Sequence, residues 1–261
     1  TGVQTCALPI LRVGGFLNAD GTGVGKTRQI LGVAQHWADK GYKVIIVSVN
    51  EALGKPWQSK EAKISGSFAN DAAAMGIDLT LIGDKDVDQT KKMLEPGKIF
   101  VTAYHGGKFT DTMRNGKSMN DGIWRLVDNK TVLIYDEAHT GKNLASKTAR
   151  AEDMDKAANN AAMIMYATAT PGDQSFHLAY LKRIGLFLGM DEERWMDAAG
   201  VFAKTDKKGN PGQWQPRPGL TAAESLERMA RVWDHLTAQG NMVKREISME
   251  GLDAEVIDVK L

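Results

Sequence analysis

The sequence of 261 residues has one cysteine and no apolar run close to the roughly 18 residues that a membrane-spanning helix requires. A single cysteine excludes a disulfide framework, and no thiol motif surrounds Cys6. Neither sign of charge is in excess, because the sequence has 33 Lys and Arg and 32 Asp and Glu. A nucleic-acid contact would therefore need a local patch of positive charge. No internal repeat is visible. No secretory signal is visible either, and its absence predicts a cytoplasmic protein.

The first ten residues stand apart from the remainder of the chain. Residues 1–10 resemble the in-frame translation of a sequencing-library adapter, so we interpret them as a scar and expect them to pack poorly. The alternative is a genuine N-terminal strand that buries Cys6. The hydrophobic fraction of 43% is enough for a core, and the length allows one large α/β domain or two small ones.

A glycine-rich turn lies between an apolar run at 13–17 and an amphipathic helical run that begins at Thr27. Strand, turn and helix are the context that a phosphate-binding loop needs, because turn and helix N–H groups can surround an anion. Lys26 would reach the β- and γ-phosphates of a nucleotide, and Thr27 would hold Mg²⁺. Asp20 replaces the first glycine of the usual pattern, and we expect its carboxylate to turn away from the phosphates. The predicted nucleotide-binding residues are Gly21, Thr22, Gly23, Val24, Gly25, Lys26 and Thr27.

Short apolar runs alternate with helical patterns along the chain. Continuous apolar runs of this length indicate strands covered on both faces, so the alternation predicts a doubly wound parallel sheet with helices on both sides. The region from 105 to 120 is predicted to be a loop. The predicted strands are 43–49, 79–82, 99–104, 131–135 and 161–167, and the predicted helices are 27–40, 145–158, 177–188, 192–203 and 222–239.

Two acidic residues, Asp136 and Glu137, follow the predicted strand at 131–135 directly. Ligands of open α/β sheets bind at the carboxyl ends of the strands, which is also where the glycine-rich turn begins. Asp136 is suited to holding Mg²⁺, and Glu137 to orienting and deprotonating an attacking water. His139 lacks companions at metal-ligand spacing, so a hydrogen-bonded link to the next strand end is the better interpretation. Thr168 and Thr170 end that strand and could report the state of the γ-phosphate.

Together these segments resemble motifs I, II and III of superfamily 2 helicases. More narrowly, the turn at 20–26, Asp136-Glu137-Ala138-His139 and Tyr166-Ala167-Thr168-Ala169-Thr170 resemble the Strawberry notch-like helicase family. In that family an aspartate is expected at the position of Asp20, whereas Thr27 stands where glycine is frequent. The resemblance covers nearly the whole chain after residue 11.

The resemblance implies a RecA-like, ATP- and Mg²⁺-dependent ATPase domain that acts on nucleic acid, with DNA as the expected partner. It implies domain bounds of 11–189 for the RecA-like domain, 190–240 for a helical extension and 241–261 for a connector toward a second RecA-like domain that supplies arginine fingers. A fragment without that second domain is expected to hydrolyse nucleotide poorly. The resemblance implies nucleic-acid contacts near 48–50 and 102–105. Phosphate contacts could come from Lys55, Lys60, Lys63 and Lys108, and base stacking from Tyr104 or Trp57. For any single one of these residues we favour the alternative of a solvated lysine or a partly buried aromatic ring.

Two other functions remain open from the sequence. In the first, ATP binding acts as a regulatory switch without strand separation. The second is another P-loop NTPase, such as a ring-forming ATPase. The available arginines, Arg183, Arg194 and Arg217, sit in no recognisable arginine-finger pattern.

Overall fold

The computed structural model describes residues 14–21, 23–49, 68–83, 85–104, 109–114, 117–146, 149–172, 174–187, 189–205 and 211–245. Seven parallel strands form one sheet. They are β1 (Gly15–Asn18), β2 (Lys43–Ser48), β3 (Leu79–Leu81), β4 (Ile99–Ala103), β7 (Thr131–Asp136), β8 (Met163–Ala167) and β11 (Met242–Val243). Their order in the sheet is β11-β1-β8-β7-β2-β4-β3.

Helices and two antiparallel hairpins complete the described part of the chain. The α-helices are α1 (Lys26–Asp39), α2 (Phe68–Met75), α3 (Val87–Met93), α4 (Ala149–Asn160), α5 (Glu192–Ala198) and α6 (Ala222–Ala238). The 3-10 segments are Ile123–Leu126, Ala138–Ser146 and Ser175–Ile184. The hairpins join β5 (Thr112–Arg114) to β6 (Lys117–Asn120) and β9 (Val201–Thr205) to β10 (Pro211–Pro216).

The sheet is buried on both faces. Successive side chains of a strand point to opposite faces, so Val44 and Ile46 pack with α1 on one side, while Ile45 and Val47 pack on the other. The second side carries a row of tyrosine rings, Tyr104, Tyr135, Tyr166 and Tyr180, whose neighbouring centroids lie 5.4–5.9 Å apart. Burial on both faces explains the continuous apolar runs of these strands.

The structure confirms the RecA-like parallel sheet with helices on both faces. The region 190–240 differs from its description as a helical extension, because α5 ends at Ala198 and the chain then forms the β9–β10 hairpin. Gly200 ends the helical segment with φ of +69°, and Val201, Phe202 and Thr205 are residue types that favour a strand. Trp195 and Trp214 of this region belong to the same apolar core as Tyr166.

Other differences from the sequence-based assignment are local. The predicted loop at 105–120 contains the β5–β6 hairpin, and the helix predicted over 177–188 is a 3-10 segment. Helices α2 and α3 were not predicted, although Asp86 and Gln89 form a capping box that marks the start of α3. The first residues of the stretch predicted as a connector form β11, which pairs with β1. Within the described ranges, no helix is long and apolar enough to cross a membrane.

Candidate nucleotide-binding site

The glycine-rich turn leaves β1 at the carboxyl edge of the sheet and enters α1. Gly23 and Gly25 have φ of +84° and +85°, a backbone conformation that favours glycine, and a Cβ built on Gly25 would meet no atom within 4 Å. No side chain caps α1, and its first turn holds no acidic residue, whereas Asp86, Asp191 and Thr221 cap α3, α5 and α6. The turn therefore presents an open helix N-terminus with the electrostatics that favour an anion.

Lys26 points back into this turn. Its Nζ donates hydrogen bonds to the carbonyl oxygens of Asp20 and Gly21, both at 2.9 Å. The ammonium group thus lies inside the loop, where a nucleotide phosphate would replace the two carbonyl groups as its partners.

Asp136 ends β7 two strands away from β1, with β8 between them. The hydroxyl of Ser48, at the end of neighbouring β2, donates to Asp136 Oδ2 at 2.7 Å, and Ser48 itself is fully buried. Burial raises the pKa of Asp136, and the adjacent charge of Glu137 also raises it, while Ser48 and the charge of Lys26 act in the opposite direction.

Glu137 has a φ of +50°, the one positive value among the non-glycine residues that the structure describes. Such backbone conformations concentrate at functional sites, where the surrounding structure holds them. His139 Nδ1 lies 3.3 Å from Glu137 Oε2 and 3.0 Å from Thr168 Oγ1, and Thr168 Oγ1 accepts from the Thr170 amide at 3.2 Å. The hydrogen bond of His139 lowers the pKa of Glu137, and the charge of Lys26 lowers it further.

These contacts bring most of the predicted site residues to one edge of the sheet. Thr168 follows β8, which lies between the strand of the turn and the strand of the acids, and its amide donates to the Asn18 carbonyl at 2.9 Å. His139 therefore makes the predicted link between the acidic turn and the next strand end. Its role in coupling, like that of Thr170, stays a prediction.

The Asp20 carboxylate pairs with Arg245, and its expected turn away from the phosphates stays a prediction. Its carboxylate is fully buried and receives hydrogen bonds from Arg245, with Nη2 at 2.5 Å and Nε at 3.1 Å from Oδ2. Asn18 and Gln29 brace the same loop, since Asn18 Oδ1 accepts from the Asp20 amide and Asn18 Nδ2 donates to Gln29 Oε1 at 2.7 Å. The sequence analysis missed these three residues, and only the position of Asn18 just before the turn could have suggested one.

Several predicted contact residues lie outside the described residues or away from the surface. Tyr104 is fully buried in the tyrosine row, so as placed it cannot stack on a base. Ser48 points to Asp136 and is not available to a polymer, whereas neighbouring Val49 is exposed. The remaining predictions, on residues 1–10, Thr22, Asn50, Lys55, Trp57, Lys60, Lys63, His105 and Lys108, fall outside the described residues.

The site fits a nucleotide that brings its own metal ion. In the ranges described, no group of three or more His, Cys, Asp or Glu residues could hold a metal alone. One hydroxyl from Thr27 and one carboxylate from Asp136 are the oxygen donors that Mg²⁺ takes when phosphate oxygens and water complete its shell. The uncapped helix start supplies the matching phosphate cradle.

Fold and site together define a P-loop NTPase domain. Residues 5–261 match the family described as P-loop containing NTP hydrolase pore-1, and the chain belongs to that family.

The chain is also similar to part of larger proteins. Protein FORGETTER 1 of Arabidopsis thaliana is 24% identical over 261 residues, which is 95% of this chain and 18% of that protein. Protein strawberry notch homolog 1 is 26% identical over 196 residues, which is 66% of this chain and 14% of the Rattus norvegicus and 13% of the Homo sapiens protein. This chain thus spans less than a fifth of the length of these relatives.

The fold of this chain is also similar to that of a solved structure. The Sulfolobus solfataricus SWI2/SNF2 ATPase core, solved in complex with dsDNA, matches with a TM-score of 0.53 and 15% sequence identity. The match covers 94% of this chain and 43% of that chain. At this identity the likeness shows the fold alone, which is the RecA-like α/β fold of the matched part of that structure.

Proposed function

We propose that this chain is a motor domain of a nucleic-acid-dependent ATPase of the helicase or translocase type. ATP and Mg²⁺ are its proposed cofactors, and DNA is its proposed polymer. The observation that carries the proposal is that the loop of Lys26 and the turn of Asp136 and Glu137 lie at one sheet edge, on two strands separated only by β8. The likeness to an ATPase core that was solved with dsDNA supports the choice of polymer.

Each proposed role follows from position and charge. Lys26 would exchange its two carbonyl partners for phosphate oxygens, and the α1 N-terminus would donate to the same phosphates. Thr27 and Asp136 would hold Mg²⁺, which when bound neutralises phosphate charge. Glu137, whose pKa is lowered, stays ionised at neutral pH and would orient a water and accept its proton. His139 and Thr168 would keep that carboxylate in place.

A relation to the Strawberry notch proteins is part of the proposal. It rests on the motifs at 20–27, 136–139 and 166–170 and on the 26% identity to protein strawberry notch homolog 1. The second function consistent with this relation is an ATP-dependent regulatory switch. A further RecA-like domain with arginine fingers, contributed by the parent protein, would complete the proposed motor, so we propose weak hydrolysis by this chain alone.

The first experiment measures nucleotide binding by this chain with a fluorescent ATP analogue, with and without Mg²⁺. We expect K26A to weaken binding at least about tenfold, because it removes the loop cation that pairs with phosphate. K92A, at an exposed position on α3, is the matched control and should bind as the wild type does. Equal affinity of K26A and K92A would contradict a nucleotide site in this loop.

The second experiment separates a motor from a switch by E137Q, with E95Q at an exposed position as its control. A motor requires the ionised carboxylate, so we expect E137Q to retain nucleotide binding and to lower nucleotide turnover about 100-fold or more. In the parent protein, which would supply the second RecA-like domain, DNA should stimulate turnover of the wild type. If E137Q of the parent protein keeps its biological function, the regulatory switch is the correct function.

A further inference from the structure

Asp20 is a buried anion at the position where a phosphate-binding loop usually has glycine. Its carboxylate is 0% exposed, and Arg245 provides the neighbouring positive charge through Nη2 and Nε. An anion of this kind is costly inside a protein unless a cation or several donors compensate for it. The pair is also long-range, because the two residues lie 225 positions apart in the chain.

Arg245 holds the loop through its main chain as well. Its carbonyl oxygen accepts from the Gly21 amide at 2.7 Å, and two residues earlier the Val243 carbonyl accepts from the Ala19 amide at 2.7 Å. These bonds extend the pairing of β11 with β1 past the end of the strand into the turn. The segment after β11 is thus bound to the first residues of the loop by side chain and backbone.

The same two residues, Asp20 and Gly21, also hold the loop lysine. Lys26 Nζ bonds to the carbonyl oxygens of Asp20 and Gly21, while Arg245 bonds to the Asp20 carboxylate and the Gly21 amide. A nucleotide phosphate that binds Lys26 would therefore remove hydrogen bonds from the two residues that Arg245 contacts. Without Arg245, the Asp20 carboxylate would be an unpaired negative charge next to the space proposed for phosphate.

We propose that Arg245 is a positioning residue for nucleotide binding, which acts by holding the Asp20 carboxylate away from the phosphate site. This inference rests on the proposed nucleotide site and adds a determinant from the far end of the domain.

The test compares nucleotide affinity among R245Q, D20N and the double variant D20N/R245Q. We expect R245Q to weaken Mg-nucleotide binding on the order of tenfold, since the loop loses the partner that preorganises it. In the D20N background the buried charge at position 20 is gone, so the same arginine change should have little further effect. R231Q is the matched control, because Arg231 is an exposed arginine on α6 that pairs with Glu227.

The measurement is displacement of a fluorescent ATP analogue, made well below each variant's unfolding temperature, together with thermal unfolding. A purely structural anchor would lower the unfolding temperature and leave the affinity of the folded protein unchanged. Wild-type affinity of R245Q, alongside lost binding in K26A, would overturn the proposal and leave the nucleotide site intact. Equal cost of R245Q in both backgrounds would overturn it as well, because Arg245 would then act without Asp20.

Two further outcomes are decisive. If R245Q does not fold, R245M replaces it, because methionine keeps an aliphatic side chain and removes the charge; wild-type affinity for that variant would overturn the proposal. If the wild type and K26A both fail to bind nucleotide, the proposed function itself fails, and the role of Arg245 fails with it.

Discussion

Removing the hydroxyl of Ser48 should destabilise the protein in a pH-dependent way. Ser48 is fully buried, and its hydroxyl donates to Asp136 Oδ2 at 2.7 Å. A hydrogen bond to a charged group contributes about 1.5–3 kcal/mol, so S48A should lower the free energy of unfolding by about 2 kcal/mol at neutral pH. The change leaves the backbone of β2 unaltered, and only a small polar atom is lost.

The pH dependence follows from the pKa of Asp136, which burial raises above its ordinary value in the folded state. A carboxyl group with a raised folded pKa favours folding below its unfolded pKa, and that contribution is lost as pH rises through the folded pKa. Ser48 opposes this loss by stabilising the ionised form, and S48A raises the pKa further. The cost of S48A should therefore be full at neutral pH and shrink as pH falls through the pKa of Asp136.

Urea unfolding, followed by tryptophan fluorescence over a pH series, measures this cost. S175A is the matched control, because Ser175 is buried and its hydroxyl has no partner among the described residues. In a D136N background the cost of S48A should fall to that of a neutral hydrogen bond, about 1 kcal/mol. A cost no greater than that of S175A, or one that does not change with pH, would refute the reasoning.

Four other changes test the packing and the acidic turn. Y104F should be neutral or stabilising, because the buried hydroxyl has no partner within the described ranges, whereas Y135F should cost about 1 kcal/mol in urea unfolding by removing a bond to the Met154 carbonyl. G15A should cost about 3 kcal/mol in the same assay, since the new Cβ would lie 2.5 and 2.6 Å from two buried isoleucine methyl groups. H139Q should lower the free energy of unfolding near neutral pH and not in acid. The hydrogen bond of His139 lowers the pKa of Glu137, and a lowered folded pKa stabilises the protein above the ordinary glutamate pKa. That contribution is lost as the pH falls through the folded pKa of Glu137.

Hydrophobic periodicity predicted the sheet because both faces of each central strand are covered. Runs such as 43–49 and 131–135 have no polar alternation, and the strands β2 and β7 lie within a residue of the predicted bounds. The β9–β10 hairpin was missed because a short helix, α5, runs into the first strand with only Ala199 and Gly200 between them. Periodicity over so few residues does not distinguish a helix that continues from one that ends.

The sequence predicted only some of the residues of the candidate site. Lys26, Asp136 and Glu137 lie next to strand ends, where local sequence and the general geometry of parallel sheets were enough to predict a common edge. Arg245 has no local signal, because its role depends on β11 joining the sheet beside β1. Ser48 was assigned to a polymer-contacting segment because its sequence position fits one, but burial directs its hydroxyl to Asp136.

The two acids of the site differ in a way that supports separate roles. Burial raises the pKa of Asp136, whereas the hydrogen bond from His139 lowers the pKa of Glu137, although the residues are adjacent in the chain. Paired carboxyl groups whose environments shift their pKa values in opposite directions are typical of divided acid–base roles. In the proposed reaction, a divalent cation beside Asp136 would favour its ionised form and compensate for its burial. Glu137 needs no such partner, because His139 and the charge of Lys26 already favour its ionised form. Its positive φ is a backbone conformation that a glutamate rarely adopts, so the surrounding structure must hold it there.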